Sequence, residues 1–291
     1  MNENTSENLN VNREHKDSVF SLLFSNPDVL RELYSAIEGI NLPPDIPIDI
    51  NTLSNVLIRE RINDISFTID NRLVVLIEHQ STVNSNMPLR LLMYIARIYE
   101  KIINRKKTYQ KKLEKIPYPE FIVLYNGDKP HPDHKELRLS EAFKNAKDLK
   151  GKNKELPLEL IVQVYNINMG HNEEILKKSE TLDNYSSFID KIRDYQKEDF
   201  SLAEAVESAI EYCIDNNKLK NFLEKHGSEV RNMLITEYNR DEEMEVVREE
   251  GREEGIITTA RNALAKGSTP DFVQEITGLD MAVIEQLAEN N

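Results

Sequence analysis

The hydrophobic pattern along the chain switches between helical and strand periods, and each switch marks an element. Asp17 to Phe24 and Asp28 to Glu38 place Val19, Phe20, Leu22, Leu23, Leu30, Leu33, Tyr34 and Ile37 at helical spacing, with Asn26 as a cap and Pro27 in the first turn. Leu42-Pro43-Pro44-Asp45-Ile46-Pro47 cannot continue a helix and reads as a linker. Strands are predicted at Leu53 to Ile58, Asn63 to Phe67, Leu73 to Ser81, Phe121 to Tyr125 and Leu158 to Ile167. The unbroken Leu73 to Ile77 run predicts a central strand covered on both faces. After it, Pro88 suits a first helical turn, and Leu91, Leu92, Ile95, Ile98, Tyr99 and Ile102 follow a helical period.

From about residue 173 the pattern is helical throughout. Ser201 to Asn216 and Lys218 to Lys225 extend this layer, with Gly227 as the expected stop. Glu237 to Glu254 is strongly acidic with a small apolar face, and reads as an exposed connecting helix. Ala260 to Lys266, a helix begun by Thr269-Pro270 and closed by Gly278, and Met281 to Glu289 after Asp280 read as a small helical hairpin.

Acid at the end of an apolar strand needs a reason. In Leu76-Ile77-Glu78-His79-Gln80, alternation puts Glu78 and Gln80 on one face and His79 on the other. If Asp70-Asn71-Arg72 form a three-residue loop, Asp64 falls directly opposite Glu78, with Cβ atoms about 5 Å apart. A two-residue loop at Asp70-Asn71 puts them on opposite faces. Two buried carboxylates that close stay ionised only with a cation between them, and oxygen ligands suit magnesium or manganese.

Asp64, then Glu78-His79-Gln80-Ser81, then Met87-Pro88-Leu89-Arg90-Leu91-Leu92-Met93-Tyr94, then Phe121-Ile122-Val123-Leu124-Tyr125-Asn126-Gly127 stand in an order that resembles the recombination-promoting nuclease / putative transposase family. The resemblance covers about residues 12 to 200. It implies an α/β fold, a PD-(D/E)XK nuclease-like core with a mixed central sheet flanked by helices, here followed by a C-terminal helical extension. The expected division is a nuclease-like domain over 12–200, an extension with the acidic connecting helix over 201–255, and a helical hairpin module over 256–291. The implied activity is that of a divalent-metal-dependent DNA endonuclease, acting in recombination, mobile-element biology or defence. Asp64, Glu78 and the His79 backbone carbonyl would hold Mg2+ or Mn2+. Gln80 would take the place where most of the superfamily carries lysine, offering a neutral amide in place of a charge. Asn63 stands where the superfamily's proline precedes its aspartate. Arg90 and Tyr94, four apart on a helix, would reach a phosphate, and Lys106 and Lys107 would follow the DNA backbone.

Charge sharpens the choice of partner. A net charge of -14 argues against non-specific coating of nucleic acid, whose affinity comes mostly from phosphate attraction. Residues 101 to 115 break that balance, with Lys101, Arg105, Lys106, Lys107, Lys111, Lys112 and Lys115 against Glu114. Residues 268 to 291 carry no Lys or Arg, so the terminal hairpin reads as a protein-contact or homodimer module and not a DNA reader. No apolar run is long enough to span a bilayer, and the polar, Asn-rich Met1 to Arg13 is unlike a signal peptide, so the expected location is the cytoplasm. The single cysteine, Cys213, reads as a core residue. His131-Pro132-Asp133-His134 lacks the companion ligands of a zinc site, and His15, His171 and His226 look isolated. Beside the nuclease stands a second function class, a catalytically weak nuclease-fold protein serving as a nucleic-acid or protein binding module.

Overall fold

The Ser18 hydroxyl accepts the Ser21 N–H and starts helix α1 (Val19–Phe24), and the Asn26 side chain accepts the Asp28 N–H at the head of α2 (Pro27–Glu38). Asn26 is the cap expected from the sequence, whereas the Ser18 cap sets the first helix two residues later than the expected start at Asp17. The computed structural model describes residues 18–50, 63–79, 84–144 and 156–289, with the backbone alone at 63–64, 78–79, 239–245 and 289. The expected strand at Leu53 to Ile58 and the whole of Gln80 and Ser81 lie outside these residues.

Six described strands form one mixed sheet in the order β1 (Ile48–Ile50), β2 (Asn63–Ile69), β3 (Arg72–His79), β4 (Tyr118–Tyr125), β6 (Ile161–Asn166), β5 (His134–Arg138). β1, β2 and β3 are antiparallel neighbours, β3 pairs with β4 and β4 with β6 in parallel, and β5 returns antiparallel along β6. A parallel neighbour needs a crossover, and helix α3 (Met87–Ile102) supplies it between β3 and β4.

The sheet is apolar on both faces, as the Leu73 to Ile77 run requires. Leu73, Val75, Ile77, Phe121, Val123 and Val164 pack under α3 against Leu91, Tyr94, Ile95 and Ile98. On the other face the Phe67 ring meets Tyr34 of α2 edge-on, with centroids 6.0 Å apart. The Tyr34 hydroxyl donates to Glu120 and accepts from Arg72 Nη1 at 2.8 Å, while Arg72 also reaches Glu120 at 3.2 Å and Glu38 at 3.8 Å. Burial, then the Glu120 hydrogen bond, raises the Tyr34 pKa, so its proton stays on the hydroxyl.

Helices α4 (Glu173–Lys178), α5 (Glu180–Lys197) and α6 (Leu202–Asp215) complete this unit, α6 starting with a capping box between Ser201 and Glu204. Tyr185 of α5 packs edge-on to Phe20 and Phe24 of α1. Cys213 is fully buried, and burial pushes its thiol up to about 11.

Gly227 does not stop a helix. α7 runs from Lys220 to Ala265 through it, because the buried Leu223, Val230 and Leu234 on the same helix outweigh the roughly 1 kcal/mol that one helical glycine costs. The backbone divides into two compact units, up to Leu234 and from Ile235. In the second, Ala260 of α7, Val273 of α8 (Pro270–Thr277) and Ile284 of α9 (Met281–Glu289) form a small core. Thr269 caps α8, and Gly267 and Gly278 take the left-handed φ values of 84° and 70° that turn the chain. Among the described residues no helix is long and apolar enough to cross a membrane.

Candidate functional site

The β2–β3 hairpin decides where the two acids stand. Asp70 and Asn71 both have positive φ, 43° and 60°, the signature of a two-residue type I′ turn. Ile69 therefore pairs with Arg72, Asp64 with Ile77, and Asn63 with Glu78. The three-residue loop that would set Asp64 opposite Glu78 does not form, and backbone alternation assigns positions 64 and 78 to opposite faces of the sheet. This register is held by its core. Ile65, Phe67 and Ile69 are 1–2% exposed on one face, and a slip by one residue would turn all three away, at about 1.5–3 kcal/mol for each side chain left unburied.

Parallel pairing brings the ends of the central strands to one edge. His79 pairs with Tyr125, and Tyr125 with Asn166, so Glu78–His79, Tyr125–Gly127 and Asn166–Asn168 emerge together. In α/β sheets the carboxyl ends of strands form the usual ligand crevice. Here the crevice has a volume of about 690 Å³ and is lined by Gly127, Asp128, His131, Asn168, His171 and Arg193 among others.

Arg193 of α5 ties this edge together. Its Nη2 donates to the Asn126 carbonyl at 2.5 Å, Nη1 to Asn168 Oδ1 at 2.8 Å, and Nε pairs with Asp128 at 2.9 Å. Asn168 in turn donates to the Gly127 carbonyl at 3.1 Å, and Asn166 to that of His131 at 2.9 Å. Two buried nitrogens beside this network, Asn126 Nδ2 and His131 Nε2, lack a hydrogen-bond partner among the described residues. Leaving a buried donor or acceptor unmade costs about 1–3 kcal/mol, so polar groups of this kind need an explanation in function or bound solvent. Sequence reasoning missed Arg193, since a lone arginine on an amphipathic helix carries no local signal. The Asn126-Gly127 step after an apolar strand was the visible part of this edge.

Other expected site residues fall elsewhere. Tyr94 is 1% exposed, and its hydroxyl donates to Ser66 Oγ at 3.2 Å, so its ring belongs to the core under α3. Arg90 is half-buried one turn before it. Lys106 and Lys107 follow the end of α3, on the loop that leads back to Tyr118, which pairs with Arg72 at the start of β3. They stand at the opposite end of the strands from Glu78, and the 16 residues of α3 place about 24 Å between its ends. Lys107 is paired with Glu114 at 3.1 Å.

The histidine side chains at 131, 134, 171 and 226 each meet a partner within the fold. His131 packs on Tyr125, His134 packs on Tyr165 and bonds Gln163 at 2.6 Å, and His171 pairs with Asp133 at 2.6 Å. His171 and His226 are thus not isolated, the latter lying 3.1 Å from Glu229. Among the described residues no three His, Cys, Asp or Glu side chains converge as a metal cluster.

A mixed α/β unit with a polar crevice at the ends of its central strands is the class that fold and site define. Residues 52–220 match the family model described as "Putative transposase, YhgA-like", and the chain belongs to that family. No curated protein and no solved structure matches it.

Proposed function

We propose that the protein is a metal-dependent DNA endonuclease that hydrolyses phosphodiester bonds in recombination, mobile-element movement or defence. The family match carries this reading, because residues 52–220 hold Asp64, Glu78 and Gln80 together with the crevice edge. The order of helix, antiparallel strands, crossover helix and parallel strand supports the expected PD-(D/E)XK-like core.

The donor chemistry suits Mg2+ or Mn2+, since carboxylates at 64 and 78 and the His79 carbonyl are hard oxygen ligands. The register fits less well. Both acids meet at one ion only if alternation breaks at residues 63–64, as a β-bulge would do without moving the buried part of β2. When bound, such an ion lowers the pKa of its water and offsets charge on the phosphate. Gln80 would orient that water as a neutral donor and acceptor. Asn168, fixed by Arg193, would line the crevice on the way to it.

The same register favours a second reading, a catalytically weak nuclease-fold protein that binds nucleic acid or protein. Thermal unfolding with Mg2+ or Mn2+ separates the two. Metal at a hundred times its Kd should add about 2.7 kcal/mol to wild type, and Glu78→Ala and Asp64→Ala should each abolish the gain. A gain that survives in both variants would remove these acids as ligands.

A further inference from the structure

The loop between α3 and β4 is a strongly basic stretch of an acidic chain, and its apolar residues point outward. Tyr109 is 80% exposed, Leu113 74% and Tyr118 69%, among Lys101, Arg105, Lys106, Lys111, Lys112 and Lys115, all exposed as well. The acids nearest in sequence are Glu100, at the end of α3, and Glu114, which is neutralised by Lys107.

The loop is also built. Lys107–Tyr109 is a turn of 3₁₀ helix, begun where Lys106 N–H donates to Asn104 Oδ1 at 3.0 Å and Lys107 N–H to the Asn104 carbonyl at 2.9 Å. The Thr108 hydroxyl donates to the Arg105 carbonyl at 2.8 Å, and Tyr99 of α3 anchors the returning chain through the Pro117 carbonyl at 2.7 Å. Tyr118 is fixed by its N–H bond to the Asn71 carbonyl, 2.9 Å. The backbone that carries both rings is held this way, so little of it remains to be ordered when a ligand arrives.

We propose that this loop is a docking surface for single-stranded nucleic acid, with the lysines facing phosphates and Tyr109 stacking on an unpaired base. Cations alone would suit any polyanion. Exposed rings set among them fit a strand whose bases are free, because the bases of a duplex are already stacked. The inference rests on the nucleic-acid reading above and deepens it. The loop lies a full length of α3 from the Glu78 end, so it holds a stretch of strand distant from any bond that is cut.

Binding of a labelled oligothymidylate to the full chain, in chelator, tests this without hydrolysis. Tyr109→Ala should weaken binding about 5- to 150-fold, the range for one base stack, while Tyr109→Phe should bind like wild type. Lys111→Ala with Lys112→Ala should flatten the dependence of log K on log salt by about 0.7 for each phosphate that the variant no longer neutralises. A duplex of the same length should be indifferent to Tyr109→Ala. Unchanged oligothymidylate affinity in Tyr109→Ala, equal losses for duplex and single strand, or no binding by wild type would each overturn the proposal. Oligothymidylate binding in chelator and plasmid nicking in Mg2+, both read on wild type, separate the two readings: binding without nicking removes the nuclease reading alone, and nicking without oligothymidylate binding removes this proposal alone.

Discussion

Arg193→Lys is the sharpest test of how the crevice is held. Arginine spans three partners because its fork is planar and rigid, and lysine offers one point charge on a flexible stem. With lysine, one of the contacts to Asp128, Asn168 and the Asn126 carbonyl can persist, and at least two charge-assisted hydrogen bonds disappear. Asn126 is 1% exposed, so water cannot readily replace the donor to its carbonyl. A hydrogen bond to a charged group contributes about 1.5–3 kcal/mol, and discounting for the exposed Asp128 leaves an expected loss of roughly 2–4 kcal/mol. For a unit of this size that corresponds to a fall in Tm of roughly 4–16 °C, read by calorimetry or circular dichroism. Helix content should stay the same, since the guanidinium caps no helix. A Tm within about 1 °C of wild type would refute the claim that Arg193 fixes the strand ends.

Three further outcomes follow from the geometry. In chelator, with no metal to draw residue 64 across, oxidation should crosslink the pair Asn63→Cys, Glu78→Cys and leave the pair Asp64→Cys, Glu78→Cys open, because only directly opposed positions approach the Cβ separation of about 3.5–4.5 Å that a disulfide needs; the reverse pattern on non-reducing gels would contradict the register. Burial, and then the neighbouring Glu120 carboxylate, raises the Glu38 pKa, so ionised Glu38 opposes folding. With the folded pKa above the unfolded one, its contribution is fully present at low pH and lost as pH rises through the raised value; Glu38→Gln should therefore gain on wild type across that rise in pH-dependent unfolding, and a constant difference would count against it. If the helices from Ala260 onward pair chains, wild type should sediment as a dimer at micromolar concentration and the chain lacking 256–291 as a monomer; identical behaviour would remove homodimerisation.

Much of the scaffold was legible because its signals are local. Asn26 before Pro27, Ser201 before Glu204 and Thr269 before Pro270 mark helix starts by satisfying free N–H groups within a few residues. The Leu73 to Ile77 run announced a strand covered on both faces. What depended on distant partners was not visible. β5, His134–Arg138, has only Leu137 buried, and its polar sequence hides an edge strand paired along one side. β1 is three residues long and follows a proline. Gly227 looked like a stop because packing on α7 cannot be read from a single glycine. The turn at Asp70-Asn71-Arg72 allowed two loop lengths, and only the burial of Ile65, Phe67 and Ile69 chose between them. That choice moved Asp64 off the Glu78 rung. For the candidate site, the sequence offers residue types and an order, and the register of β2 against β3 departs from the pairing that would join Asp64 to Glu78.

Cleavage of supercoiled plasmid by wild type, Glu78→Ala and Gln80→Ala, with Mg2+, with Mn2+ and with chelator, tests the central claim most directly. Nicking by wild type that requires metal, disappears in Glu78→Ala and slows in Gln80→Ala is the predicted result. Wild type and Glu78→Ala behaving alike in every metal would contradict the nuclease assignment and leave the binding module in its place.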